Sequence, residues 1–189
     1  MNRGYLQKFQ IKDVVFLSIM SAVALATCAV MPLVISLQPL IFGISQLVTA
    51  LQIGVFFAIG LYKVRKPGSL LIMALMMGLI QLMMSPPMFL SSVLNGVLIE
   101  LIVLLLFRGY EKDSAVFCAA MLHTPLSLPF NYLYNRLVKG ADSPLAAVAD
   151  RAPLAAVGMT LAVVAVSALG ALIGIKIARE LKKSGVLKK

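Results

Sequence analysis

Between its charged residues the chain carries six apolar runs, at about 14–34, 41–62, 69–85, 88–107, 114–135 and 153–177. A helix crosses the hydrocarbon core with ~20 apolar residues, or ~17 when short or tilted. The shortest run, 69–85, still covers ~25 Å at helical rise. Inside hydrocarbon every backbone N–H and C=O must be satisfied within the protein, which leaves helices or a closed barrel. The alternating hydropathy of barrel strands is missing, so the runs predict helices. Composition points the same way: 61% of residues are hydrophobic and 13% charged, against roughly 45–50% and 25% in a soluble domain. The expected fold is an all-α membrane protein, one integral domain over residues 1–189 with six transmembrane helices. No room is left for a soluble catalytic domain, and no G-x-x-x-x-G-K-[ST] loop is present. Any ATP used would be handled by another chain.

Lys and Arg orient the bundle. The N-terminal tail carries Arg3, Lys8 and Lys12, the second connection Lys63, Arg65 and Lys66, and the fourth Arg108 and Lys112. The C-terminal end adds Lys176, Arg179, Lys182, Lys183, Lys188 and Lys189. The other side holds Arg136, Lys139 and Arg151. Both termini are therefore expected in the cytoplasm, with the chain multi-pass in the membrane. The net charge of +10 then reads as a topology signal and an attraction to anionic lipid, not as a nucleic-acid footprint. Cys28 and Cys118 lie inside apolar runs, which predicts neither a disulfide nor a zinc site. Leu25–Cys28 has the outline of a lipoprotein cleavage box, but Thr27 fits it poorly, so an uncleaved first helix is expected.

Polar side chains are distributed unevenly. Gln38, Gln46, Gln81, Ser91, Ser92, Asn95, Asn131 and Asn135 all belong to the outer half, as do eight of the nine prolines. Helix-to-helix hydrogen bonding accounts for some of these residues, but not for their concentration on one side. An outward-facing polar pocket does. Asn95 and Gln81 are expected to line it, with residues 32–40 and 139–152 as its cap. Ser92, Gly96 and Glu100 share a helix face at four-residue spacing. Glu100 lies ~18 Å in from the outer end of its run, where an unpaired charge is expensive. It is expected to meet a donor, a proton or a cationic ligand group, either in an interhelical contact or as part of the pocket floor. His123 falls near mid-membrane without a chelating set, so it is expected to hydrogen-bond or face a ligand, not to hold a metal. On the first helix Ser18, Ala22 and Ala26 stand four apart, with Ser21 and Ala29 beside them, a small-residue stripe that lets another helix approach closely.

These pieces resemble a substrate-binding S component of an energy-coupling factor (ECF) transporter. The likeness covers the whole chain: six helices, cytoplasmic ends and an alanine-rich first helix after a basic tail. The family's Ala-x-x-x-Ala motif is matched by Ala22-Val23-Ala24-Leu25-Ala26. The thiamine and hydroxymethylpyrimidine branch is nearest in motif. There Arg-Lys-Pro-Gly follows the second helix, as Arg65-Lys66-Pro67-Gly68 does, and an amide–Gly pair precedes a Glu, as Asn95-Gly96 precedes Glu100. The chain departs from that branch in having no Trp and few aromatics to stack a ring. The resemblance implies a vitamin-binding subunit without cofactor or ATPase of its own. It implies a transmembrane coupling subunit docked on Ser18, Ala22 and Ala26, two cytoplasmic ATPases, and a micronutrient held by Gln38, Gln46, Gln81, Ser92, Asn95, Glu100, His123, Asn131 and Asn135. The competing reading is a non-transporting scaffold or assembly factor whose polar residues only pack helices. An intramembrane enzyme is disfavoured, because one His and one buried Glu form no nucleophile or metal constellation.

Overall fold

The computed structural model describes residues 8–28, 34, 36–140 and 143–187. Seven helices run through them: α1 (Ile11–Ala26), α2 (Ile44–Val64), α3 (Ser69–Leu82), α4 (Pro86–Phe107), α5 (Asp113–Val138), α6 (Pro144–Arg151) and α7 (Pro153–Lys183). No strand occurs among the described residues. Six of the helices overlay the six apolar runs. The short α6, inside what sequence alone makes a loop, is additional. Its start is readable: Ser143 caps it by accepting the Ala146 amide at 3.3 Å, and Pro144 opens its first turn. Pro86 and Pro153 open α4 and α7 in the same way, since a missing N–H costs nothing there.

Boundaries differ from expectation chiefly at the last, first and third expected helices. The last runs on to Lys183 instead of stopping at 177. The first helix begins at Ile11 and ends at Ala26 instead of running 14–34; residues 29–33 of that run lie outside the described residues. Its start is fixed by Asp13, whose carboxylate accepts the Gln10 amide at 3.1 Å. The third helix stops at Leu82, not Ser85, and covers ~21 Å at helical rise. By length and hydropathy α2, α4 and α7 suffice to cross a membrane. Their apolar side chains remain outside the bundle: Leu105 is 81% exposed and Leu161 65%. A soluble domain does not leave such a belt uncovered.

The helices form a ring in the order α1, α3, α4, α5, α7, α2, with α2 drawn inward to touch α3 and α5 as well. The tightest seam joins α2 to α7. Gly54 of α2 faces the backbone of Ser167, Gly170 and Ala171, while a Cβ at Gly170 would lie 2.5 Å from the Leu51 carbonyl oxygen. One at Gly174 would strike the Val55 carbonyl oxygen and the Ala58 methyl. Gly170 and Gly174 form a G-x-x-x-G pair that brings two backbones into contact. This pair is plain in the sequence, but its significance lay outside the small-residue stripe read on the first helix.

Serines close gaps in the backbone bonding. Pro125 has no N–H to give the Met121 carbonyl one turn earlier, and Ser167 of α7 donates to that oxygen instead at 2.7 Å. Ser21 donates to the Met73 carbonyl at 3.1 Å, tying α1 to α3, and Ser92 to the Ala74 carbonyl at 3.1 Å, tying α4 to α3. Ser21 is thus packed inward, away from the stripe it was expected to adjoin, and Ala29 lies outside the described residues.

A test of the α2–α7 seam compares two glycines on one helix. Gly174→Ala is expected to destabilise the protein by about 1–3 kcal/mol, the usual range for overpacking. Gly158, with open space around its would-be Cβ, is expected to gain about 0.5–1 kcal/mol on replacement by Ala, from helix propensity alone. Thermal unfolding in detergent reads both.

Candidate functional site

At one end of the bundle the charged residues knit the helices together. Asp113, at the start of α5, pairs with Arg65 at the end of α2 (2.5 Å) and with Arg179 near the end of α7 (2.6 Å). Burial alone would raise its pKa, but hydrogen bonds from Arg179 and Arg65 hold it below the ordinary carboxylate value. Lys66 reaches Asp13 on α1 at 2.6 Å. All of these groups radiate from the Arg65–Gly68 turn, whose first and last residues have left-handed backbones (φ 46° and 91°).

Glu100 belongs to this end and not to a pocket floor. Its carboxyl accepts the Gly68 N–H at 2.5 Å and the Tyr110 hydroxyl at 2.9 Å, with the Leu70 and Leu71 amides also bonding to it. The side chain is 6% exposed. An anion-accepting cluster of free amides at a helix N-terminus is a natural partner for a buried carboxyl. The expectation that Glu100 offers its oxygens to a ligand is corrected by this geometry, because its acceptors are spent on the α2–α3 turn. Arg108, two turns further on, caps α4 in a left-handed conformation.

The opposite end opens into a cavity of about 400 Å³, within the ~300–1,000 Å³ typical of small-molecule sites. Eight of the nine side chains expected to bind substrate line it: Gln38, Gln46, Gln81, Ser92, Asn95, His123, Asn131 and Asn135. The described parts of the expected cap contribute Gln38 and Pro39 from one segment, and Lys139, Pro144 and Leu145 from the other. Ser45, Thr49, Ile53, Thr124, Ser127 and Tyr134 are among the further wall residues; the four short hydroxyls carry no sequence signal because such residues are common in membrane helices. Ile53 lies nine positions into α2, so the cavity reaches ~14 Å below that helix end.

Its polar groups fall into two sets. Near the mouth they satisfy one another: Gln38 donates to the Ser45 hydroxyl, Ser45 to Gln46 Oε1 at 2.8 Å, and Asn135 to the Asn131 carbonyl at 2.8 Å. Deeper down they do not. Asn95 is 1% exposed, and His123 and Thr124 are 3% exposed. Asn95 Oδ1, both ring nitrogens of His123 and Thr124 Oγ1 have no hydrogen-bond partner. The His123 ring is held against Phe57, centroids 4.5 Å apart. Buried polar atoms are nearly always paired, and these four are the unpaired ones that border the cavity. The short α6, whose Pro144 and Leu145 line the cavity, is tied to α5 where Asp150 accepts the Tyr132 hydroxyl at 2.7 Å and pairs with Arg136 at 2.5 Å.

A family model described as "Hypothetical bacterial integral membrane protein (Trep_Strep)" matches residues 11–183. The chain belongs to this family. It is accordingly a bacterial integral membrane protein. Among solved structures, one titled "Crystal structure of an S-component of ECF transporter" is similar, with a TM-score of 0.64 and 22% identity. The match covers 95% of this chain and 89% of that one. At that identity the likeness establishes the fold: the family member has an S-component-like bundle. No curated protein matches the sequence.

The α1 stripe is open on the bundle surface. Ala22 and Ala26 are exposed and Ser18 is half-buried, its hydroxyl returned to the Val14 carbonyl at 2.8 Å.

The Glu100 assignment has a direct consequence. Glu100→Gln keeps the shape but turns an amide NH₂ toward a group that itself donates. A loss of about 1–3 kcal/mol is expected, the cost of leaving a buried donor unsatisfied. Tyr110→Phe in the same background is expected to restore part of it, read by thermal unfolding of the double and single variants.

Proposed function

We propose that this protein is the substrate-binding subunit of an ECF-type importer, capturing a small micronutrient in the cavity for ATP-driven uptake. The unpartnered floor carries the reading, because four unpaired polar atoms of Asn95, His123 and Thr124 converge on one cavity, whereas the helix-packing hydroxyls of Ser21 and Ser167 are paired. The S-component-like fold supports it. In this reading six helices cross the bilayer with both termini in the cytoplasm, and the cavity opens outward, opposite the basic end. Thiamine or its pyrimidine precursor is the first candidate, from the likeness of Arg65–Gly68 and Asn95-Gly96 to that branch. Energy comes from two cytoplasmic ATPases acting through a transmembrane coupling subunit.

Capture is tested by mass spectrometry of the full chain, purified in mild detergent from bacterial membranes. Wild type is expected to release a bound small molecule, and Asn95→Leu to release at least tenfold less. A wild-type preparation that carries none favours the scaffold alternative.

Docking is tested separately. The exposed Ala22–Ala26 stripe is proposed to face the coupling subunit, so Ala22→Leu or Ala26→Leu is expected to abolish copurification with that subunit while leaving the bound small molecule in place. Assembly unaffected by both substitutions would take this face out of the interface.

A further inference from the structure

The lining of the cavity is uneven in charge. Among its described residues there is no Asp or Glu, and Lys139 at the mouth is its one charged side chain. The acids are engaged or placed elsewhere. Asp13, Asp113 and Glu180 pair with cations at the basic end, where Glu111 also lies in the α4–α5 connection. Glu100 serves the Gly68 turn, and Asp150 takes Arg136 and Tyr132. Asp142 lies outside the described residues.

A cation lowered to the floor would exchange water for a site without a counter-charge, which is expensive in an apolar surround. Aromatic faces are the other means of holding a cation. Beyond the His123 imidazole, already packed at a tilt against Phe57, the described lining of the cavity presents one aromatic ring, Tyr134. Among the described residues neither device is in place at the floor.

What the floor does offer is a mixed set of neutral hydrogen-bonding groups. Asn95 Oδ1 accepts, a neutral imidazole gives one donor and one acceptor, and a Thr hydroxyl does both. Their partner must carry an N–H or O–H for Asn95, together with donors and acceptors for the other two, and no positive charge. We propose, on the substrate-capture reading above, that the cavity selects a ligand that is uncharged in its buried part and carries no net positive charge. A heterocyclic amine or alcohol is bound edge-on by Asn95, His123 and Thr124, and organic cations are rejected. Of the two first candidates this favours the neutral pyrimidine over thiamine, whose thiazolium ring is a permanent cation.

The full-length chain in detergent is denatured and the released molecule run by capillary electrophoresis at pH 7.5. Migration as a neutral species or an anion is expected. Migration as a cation overturns the charge selection while leaving the protein a binding subunit; release of nothing overturns the capture reading itself, and this inference with it. Thiamine serves as the cationic probe. At millimolar concentration it is expected to leave the thermal midpoint of ligand-stripped protein unchanged, and micromolar binding of it overturns the proposal. Thr124→Val and His123→Phe, two nearly shape-preserving changes, are expected to cut the amount of released molecule at least tenfold. If both variants keep the wild-type unfolding temperature and the wild-type load, the floor assignment is wrong.

Discussion

Glu100 is a buried carboxyl at the basic end, and the turn between α2 and α3 is arranged around it. A carboxyl in an apolar interior needs donors, and here they are the amides at the start of α3 and the Tyr110 hydroxyl. To supply them the chain must turn sharply after α2, with Arg65 and Gly68 in left-handed conformations. That turn then places Arg65 against Asp113 and Lys66 against Asp13. One buried acid thereby fixes the mutual positions of α2, α3 and α4, and through the ion pairs those of α1, α5 and α7. The ion pairs are partly exposed and contribute little individually. The buried carboxyl sets the geometry in which they form.

The cavity end works by the opposite rule. Hydroxyls between helices spend their hydrogen bonds on neighbouring carbonyls, as Ser167 does for Met121 beside Pro125. The amides near the mouth bond to adjacent groups on their own or the following segment. At the floor, Asn95, His123 and Thr124 are held by packing and left open toward the cavity. A rigid wall with unspent donors and acceptors is what preorganised recognition requires.

Much of this was legible before any coordinates. Hydropathy marks six of the seven helices, since burial in lipid or core writes itself as long apolar runs. The convergence of Gln38, Gln46, Gln81, Asn95, Asn131 and Asn135 on one cavity followed from their shared outer half of the membrane, because amides avoid lipid whatever their function. For Glu100 the choice between an interhelical contact and the pocket floor stayed open for a physical reason: its partners include the backbone amides of residues 68, 70 and 71, and backbone donors have no letter in a sequence. That Ser21, beside the stripe, turns into the bundle was hidden for a similar reason, as its partner there is the Met73 carbonyl. Helix α6 escaped notice because eight residues are too few for a periodic signal, although Ser143-Pro144 is a recognisable start. The limits of the first helix depend on the Gln10–Asp13 cap, which hydropathy does not register.

The α2–α7 seam also restricts how the family can vary. Where side chains interlock, a change on one helix is absorbed by a compensating change on the other. Here Gly170 and Gly174 face carbonyl oxygens of Leu51 and Val55, atoms that every residue type presents alike. Substitution at positions 51 or 55 leaves those oxygens where they are. Only Ala58, whose methyl also faces Gly174, has anything to remove. The seam is therefore nearly closed to second-site suppression, and the two glycines must be kept by purifying selection on each alone, without the paired drift that side-chain contacts allow.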